Sequence, residues 1–316
     1  MNLPYFSIVI SLYNKEKHIQ STIESVLAQS FVDFEIVVVN DGSTDSSEAV
    51  VKSIDDERIQ IYSQENKGVS VARNFGIEKA KAKLVAFLDA DDYWYPNHLE
   101  TLKILYDTFP GCGLYATAYM KQFNSVKIKS IYKNIPTTPN WMGIVPDYFE
   151  SSHTNSIAWT SAVMVPKKVF DTIGNFDTNI TLGAGEDTDL WIRIALKYEV
   201  AFCNTVTAIH NLHSDNRISN ANTNLRQFIN LDVYEAIAQS KPSLKKYLDL
   251  NRYSIAKQYK LVGNHQKSKE LIAKIDFNNL NWKQQLLLKT NNQLLIIFIK
   301  VKLLLRNLGL NLSSYK

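Results

Sequence analysis

The first hundred residues alternate two hydrophobic patterns. Short β-rich runs, FSIVISL at 6–12, FEIVVVN at 34–40, RIQIY at 58–62 and LVAFL at 84–88, read as buried strands. Between them lie longer segments with interleaved polar residues. In EKHIQSTIESVLAQ (16–29), Ile19, Ile23, Val26 and Leu27 fall on one helical stripe. DGSTDSSEAVVKSI follows the second strand, with a serine or threonine ahead of Glu48 to cap a helix, and GVSVARNFGIEKAKA (68–82) supplies the next. The order βαβαβαβ predicts a parallel sheet covered by helices, whose ligands bind beyond the carboxyl ends of the strands. The residues there are YNKE (13–16), DGSTD (41–45), SQENKG (63–68) and DADD (89–92), all polar and most able to bond a nucleotide or a metal.

The middle of the chain, about 111–215, mixes strands such as GLYATAYM (113–120) and SAVMVP (161–166) with loops and one clear helix, DTDLWIRIALKY (187–198). Beyond about 220 the pattern turns helical and rich in Asn, Lys and Leu, with helices expected near 222–239, 243–261, 265–274 and 282–308. The expected division is an α/β domain over 1–220 and a helical C-terminal region over 221–316.

Composition narrows the class. A chain of 316 residues with 45% apolar content can bury one large core and carry an appendage. The formal charge of +4 is too small to argue for nucleic acid, and no such partner is expected. Most of that charge belongs to the tail: no acidic residue occurs from Phe277 to Lys316, while Lys283, Lys289, Lys300, Lys302, Arg306 and Lys316 are basic. Two cysteines, Cys112 and Cys203, imply no disulfide framework and fit a reducing, cytoplasmic setting. MNLPYFSIVIS lacks a basic start, so no signal peptide is expected, and no apolar run reaches the length of a conventional transmembrane helix. QLLIIFIKVKLLLRNLGL (293–310), ending at Gly309 as a cap, reads either as a helix packed on the core or as an interfacial helix drawn to anionic lipid.

The chemistry concentrates in two acidic clusters. LVAFLDADDYWYP (84–96) runs a strand into Asp89, Asp91 and Asp92, which suits a metal site, a catalytic carboxylate cluster or a solvated turn. At Asp89-Ala90-Asp91 two carboxylates can meet Mg²⁺ or Mn²⁺, with substrate phosphates completing the shell. A calcium loop is disfavoured by Trp94 at the required glycine, by Tyr93, and by Pro96, where the next helix is expected to start. In GAGEDTDL (183–190), Glu186, Asp187 and Asp189 crowd a helix N-terminus, either as capping residues or with one of them as a general base whose proton affinity a neighbouring carboxylate raises. IHNLHSDNRISN (209–220) carries His210, read as a surface residue, and His213, the better ligand candidate. Arg73 can face either a nucleotide or a structural carboxylate. Trp159, with His153 and Trp141 near it in sequence, can stack on an acceptor sugar or belong to the core. A dinucleotide-binding enzyme would need glycines after the first strand, where this chain has SLYNKEKH.

Taken in order, SLYNKEKHI, VVVNDGSTD, NKGVSVARNFG, FLDADDYW and GEDTDLWIRIA resemble the motifs of the inverting glycosyltransferases of family 2, over about residues 5–220. The resemblance implies a GT-A fold, a Rossmann-like mixed sheet flanked by helices, here with a C-terminal helical extension. It also implies a nucleotide-sugar donor, most naturally a UDP-sugar, and a divalent cation, Mn²⁺ or Mg²⁺. By position, Ser11, Tyr13, Asn14 and Asp41 correspond to the nucleobase site, Arg73 and Ala90 to further residues of the donor-nucleotide site, and Asp89 to the residue facing the ribose. Asp91 corresponds to the metal ligand, Asp187 to the catalytic base with Glu186 beside it, and His213 to a residue contacting metal or diphosphate. Two positions depart from the pattern: Ser11, where the family more often has proline, and Asn211, where it has arginine. The family's processive members carry an extra Gln/Arg-x-x-Arg-Trp element and membrane helices, so a single transfer is expected, to a glycan or lipid-linked acceptor of surface polysaccharide. A catalytically silent sugar-nucleotide binder and a nucleotidyltransferase are the alternatives. The latter should carry a glycine-rich basic loop after the first strand, which is absent here.

Overall fold

In the computed structural model, residues 3–218, 221–307 and 313–315 are described. The elements are, in order, β1 (Phe6–Leu12), α1 (Ile19–Leu27), β2 (Phe34–Asp41), α2 (Ser47–Lys52), β3 (Ile59–Gln64), α3 (Val69–Lys79), β4 (Leu84–Asp89), β5 (Tyr93–Trp94), α4 (His98–Thr108), β6 (Leu114–Phe123), β7 (Val126–Lys129) and β8 (Met142–Ile144). They continue with α5 (Tyr148–Ser151), β9 (Val163–Pro166), α6 (Lys167–Ile173), α7 (Glu186–Lys197), β10 (Val200–Asn211), α8 (Glu235–Ala238), α9 (Pro242–Leu261), α10 (His265–Ile272), α11 (Trp282–Lys289) and α12 (Asn292–Asn307). The chain forms two compact units, one of Met1–Ser130, Ile135–Pro146 and Ile157–Asn220, the other of Ile131–Asn134, Asp147–Ser156 and Ala221–Lys316.

The first unit is built on a sheet in the order β3-β2-β1-β4-β9-β6-β10-β5, with β7 beside β6 and β8 beside β10. β1 is buried on both faces, as its unbroken apolar run requires, and pairs in parallel with β2 and β4. The chain winds from β1 outward through β2 to β3 and then returns to place β4 on the other side of β1. This reversal makes a topological switch point, where a crevice opens at the carboxyl ends of neighbouring strands. Register sets Ser11 beside Asp89 across it. Beyond β4 the sheet becomes mixed, since β9 runs antiparallel to both β4 and β6, while β10 runs parallel to β6. α3 lies close on β1 because Gly76 has no side chain: a Cβ there would stand 2.4 Å from Val9 Cγ1. α4 begins at His98, two residues after the expected Pro96.

The second unit is helical, with a core of Leu250, Tyr253, Ala256, Ile275, Leu280 and Leu288. Arg252, fully buried on α9, pairs with Asp232, Glu235 and Asp249 and so ties three successive segments together. Two expected helices differ. Over 222–239 only 3₁₀ turns at Thr223–Leu225 and Leu231–Tyr234 and the short α8 form, because the side chains of Asn222 and Asn230 accept the backbone N–H two residues on and stop a continuous helix from starting. The expected 282–308 helix breaks at Thr290, which is extended, and Asn291 then caps a new start by accepting the Leu294 N–H. Gly309 lies outside the described residues. No described helix is long and apolar enough to cross a membrane.

Candidate functional site

The loops after β1, β2 and β4 meet at the switch point. Asn14 turns the chain with a positive φ of 50° and binds the β2–α2 loop, accepting the Thr44 N–H at 2.8 Å and donating its own N–H to Ser43 Oγ at 3.1 Å. Ser11 is partly buried at the end of β1, and Tyr13 is exposed. Asp41, buried at the end of β2, accepts from Gln64 Nε2 at 2.7 Å and from the N–H groups of Lys67 and Gly68, each at 2.9 Å. It thereby fixes the loop that leads into α3.

The three aspartates after β4 have three separate environments. Asp89 pairs with Arg73 Nη2 at 2.8 Å. Asp91 Oδ2 takes the Lys15 ammonium at 2.8 Å and the Ser214 hydroxyl at 2.5 Å. Burial alone would push the Asp91 carboxyl up, but Lys15 and Ser214 outweigh it and hold the group below the ordinary carboxylate range. Asp92 is buried and accepts from Ser161 Oγ at 2.6 Å and the Asn211 N–H at 2.9 Å. Burial first, then the charges of Asp91 and Asp89, raise it well above the ordinary range. Of the readings open for this stretch, a solvated turn does not describe it: Asp92 braces the loop from inside. Ala90 is buried, and its carbonyl accepts from Thr22 Oγ1 at 3.1 Å.

α7 starts on Gly185, whose φ of 104° is open to glycine at little steric cost. Its first turn carries Glu186, Asp187 and Asp189, where the helix dipole favours negative charge. Asp189 pairs with Arg193 at 2.8 Å and is structural. Glu186 is buried, receives Arg73 Nη1 at 3.1 Å on Oε1, and leaves Oε2 without a hydrogen-bond partner among the described residues. Burial and then the charge of Asp187 raise its carboxyl above the ordinary value. Arg73 is thus a fork joining Asp89 to Glu186, with its guanidinium also 5.3 Å from the Phe176 ring centroid. Between the two partners left open by the sequence, this arginine faces carboxylates. Asp187 is partly exposed, and its Oδ1 accepts the Thr188 N–H at 2.6 Å. Its Oδ2 takes no hydrogen bond among the described residues.

His213 is exposed, and its Nδ1 accepts the Asn124 N–H at 3.2 Å. It directly precedes Ser214, the partner of Asp91. His210 is half-buried rather than free on the surface: its ring stacks on Trp159 at 4.8 Å, its Nε2 faces Arg217 at 3.2 Å, and burial followed by the Arg217 charge pushes its value down to about 3. Trp159 is 9% exposed and packed also on Tyr119 at 4.5 Å, so it offers little surface to a ligand. Trp141 packs against Gly143, and His153 belongs to the second unit. The sequence reading missed Lys15, Ser161 and Ser214. Lys15 carried one signal, its place directly after Tyr13-Asn14 at a strand end facing an acidic cluster.

No group of three or more His, Cys, Asp or Glu side chains among the described residues could hold a metal ion. Asp91 offers one carboxylate, and Mg²⁺ and its analogues commonly take one or two carboxylates together with substrate phosphates. These residues fit a cation held jointly with a diphosphate rather than by protein alone.

A mixed sheet of this topology, with carboxylates gathered at its switch point and an acidic helix start tied to them, is the GT-A architecture that the ordered motifs imply for a glycosyltransferase. The chain belongs to glycosyl transferase family 2, whose profile matches residues 7–173. A glycosyltransferase of Rickettsia typhi is 30% identical over 240 residues, 74% of this chain and 70% of the relative. A longer Rickettsia bellii glycosyltransferase is 32% identical over 194 residues, 60% of this chain but only 26% of its own length. A second long relative, from Rickettsia felis, is matched over 31% of its length. Among solved structures, Staphylococcus aureus TarS residues 1–349 in complex with UDP-GlcNAc superposes with a TM-score of 0.58 at 16% identity, covering 91% of this chain and 76% of TarS, and shares the fold.

Proposed function

We propose that this glycosyltransferase is inverting and non-processive, and moves a single hexose from a UDP-sugar to a hydroxyl of a glycan or lipid-linked acceptor in surface polysaccharide biosynthesis. The observation that carries this reading is the Arg73 fork, which couples Asp89 at the strand end to Glu186 beside Asp187. A donor seated over β4 would then lie within one rigid framework with the base. The TarS complex supports a uridine donor. Ser11, Tyr13, Asn14 and Asp41 serve the nucleobase, Asp89 the ribose, Ala90 the donor nucleotide beside it, and Asp91 with His213 would hold a Mn²⁺ or Mg²⁺ ion together with the diphosphate. When bound, that ion neutralises the charge of the departing group.

Asp187 is the base. Its Oδ1 is committed to the Thr188 N–H, which leaves Oδ2 to take the proton of the acceptor hydroxyl. The hydroxyl oxygen bonds to the anomeric carbon as the bond from that carbon to the diphosphate breaks. The nucleotide diphosphate leaves with the electron pair, and the anomeric configuration inverts. Residues 1–220 serve as the catalytic domain and 221–316 as the acceptor- or membrane-associating region.

The test is binding and transfer. UDP-, GDP- and dTDP-sugars with Mn²⁺ are screened for thermal stabilisation, and a protein stabilised by none of them refutes the reading. Asp187→Asn should abolish transfer while leaving donor affinity within about twofold of wild type. A collapse of nucleotide affinity would make Asp187 a donor-site residue instead.

A second reading concerns α12. Leu294, Ile297, Phe298, Val301 and Leu304 share one helical face and are all more than 40% exposed, while Leu295 is fully buried. Such an apolar face beside basic residues suits an interfacial helix on anionic lipid. Removing residues 293–316 should abolish pelleting with anionic vesicles, and equal pelleting of both forms would sink the idea.

A further inference from the structure

Lys15 stands where three segments meet. Its N–H is fixed by Ser47 Oγ at 2.7 Å, and its side chain is 10% exposed. The ammonium donates to Asp91 Oδ2 at 2.8 Å and to the carbonyl of Asp215 at 2.6 Å, and Ser214 Oγ donates to the same Oδ2. The two chain segments are sewn together further along. The Asp215 carboxylate takes Lys17 Nζ at 2.9 Å and His18 Nε2 at 2.7 Å, and Asn216 Nδ2 donates to the Asn14 carbonyl at 3.3 Å. One carboxylate oxygen therefore joins the end of β4, the loop after β1 and the loop after β10.

We propose that Lys15 is a resident counter-ion that latches Asp91 to the 214–216 loop while no donor is bound, and releases Asp91 when a nucleotide diphosphate enters. The proposal rests on the nucleotide-sugar reading above. A buried ammonium and a buried carboxylate are each costly alone, so neither gives up the other without a replacement. A divalent cation arriving alone offers Asp91 more charge but leaves Lys15 unpaired beside it, with like charges a few ångströms apart. A diphosphate changes this balance. Its oxygens accept from an ammonium, for which lysine is a compact point-charge donor, and they supply the ligands that a single carboxylate cannot. Lys15 acts as a positioning residue: it makes the cation wait for the nucleotide and frees the 214–216 loop at the same moment.

The experiment uses the full chain and the electron paramagnetic resonance signal of free Mn²⁺, titrated with and without UDP, with the Mn²⁺ taken up by the same UDP in the absence of protein subtracted. The wild type should bind Mn²⁺ at least about tenfold more tightly with UDP than without it. Lys15→Gln should bind Mn²⁺ without UDP at least about tenfold more tightly than wild type, and Lys15→Arg, which keeps the charge, should restore wild-type behaviour. Equal Mn²⁺ affinity of Lys15→Gln and wild type in the absence of nucleotide overturns the proposal. Equal affinity of the wild type with and without UDP overturns it as well, and that comparison needs no folded variant. Calorimetry of UDP on the wild type is a separate arm. Failure to bind UDP counts against the nucleotide reading, whereas the Lys15→Gln comparison, made without nucleotide, judges the latch.

Discussion

Replacing Arg73 by methionine removes one guanidinium and leaves two carboxylates without their partner. Arg73 is 5% exposed and Glu186 likewise 5%, while the side chain of Asp89 is 32% exposed and can be rescued in part by water. Breaking a buried pair costs about 3–5 kcal/mol, and the partial exposure of Asp89 places this substitution near the lower end, at about 3 kcal/mol. The loss has a defined pH dependence. Glu186 already has its carboxyl raised, by burial and by Asp187, and the Arg73 charge opposes that rise, so its removal raises the group further. A carboxyl raised on folding binds more protons in the folded state, so its contribution is fully present below the unfolded value and is lost as pH rises through the folded value. Arg73→Met should therefore be more destabilised at pH 8 than at pH 5. Urea unfolding followed by tryptophan fluorescence reports on the correct unit, since Trp94, Trp141, Trp159 and Trp191 lie there and Trp282 is 70% exposed in the other. The expected shift in midpoint is about 1 M at neutral pH. A loss below about 1 kcal/mol, or one that does not grow with pH, would refute the assignment of Arg73 as the charge that holds the two carboxylates.

Gly76→Ala should cost about 1–3 kcal/mol through overpacking, because its Cβ would stand 2.4 Å from the buried Val9, and an unchanged urea midpoint would show that α3 can lift off β1 freely. Asp41→Asn loses one of three accepted hydrogen bonds and should weaken UDP binding along with a loss of about 1–3 kcal/mol in stability; intact UDP affinity would make Asp41 purely structural. His98 is buried against Trp94 and bonded to Thr207 Oγ1, and burial lowers its value from 6.5 to about 3. Between those values the unfolded chain takes up a proton that the folded one refuses, so stability falls as pH drops through this window. His98→Gln should flatten that part of the profile, and an unchanged slope would place its origin elsewhere.

The β/α alternation from Phe6 to Asp89 is a local property: a buried strand is an unbroken apolar run and a covering helix a 3.6-residue stripe, so both can be read without knowing what they touch. The same holds for α7, expected over 187–198 and found as Glu186–Lys197. It failed in the C-terminal region, where Asn222, Asn230 and Asn291 redirect the backbone through single side-chain hydrogen bonds that periodicity does not register. Strand order beyond β4 was also invisible, because β9 and β10 enter the sheet by pairing with distant segments.

The sequence by itself determined that carboxylates would collect at the ends of buried strands and at the start of one helix. Only the tertiary structure decided what each carboxylate meets. Asp89 meets Arg73 and, through it, Glu186, which lies 113 positions beyond Arg73 in the chain; Asp91 meets Lys15 and Ser214 from two other loops; and Asp92 turns inward to Ser161. Three acids within four positions acquire three different sets of partners because charge pairing depends on separation in space and takes no account of distance along the chain.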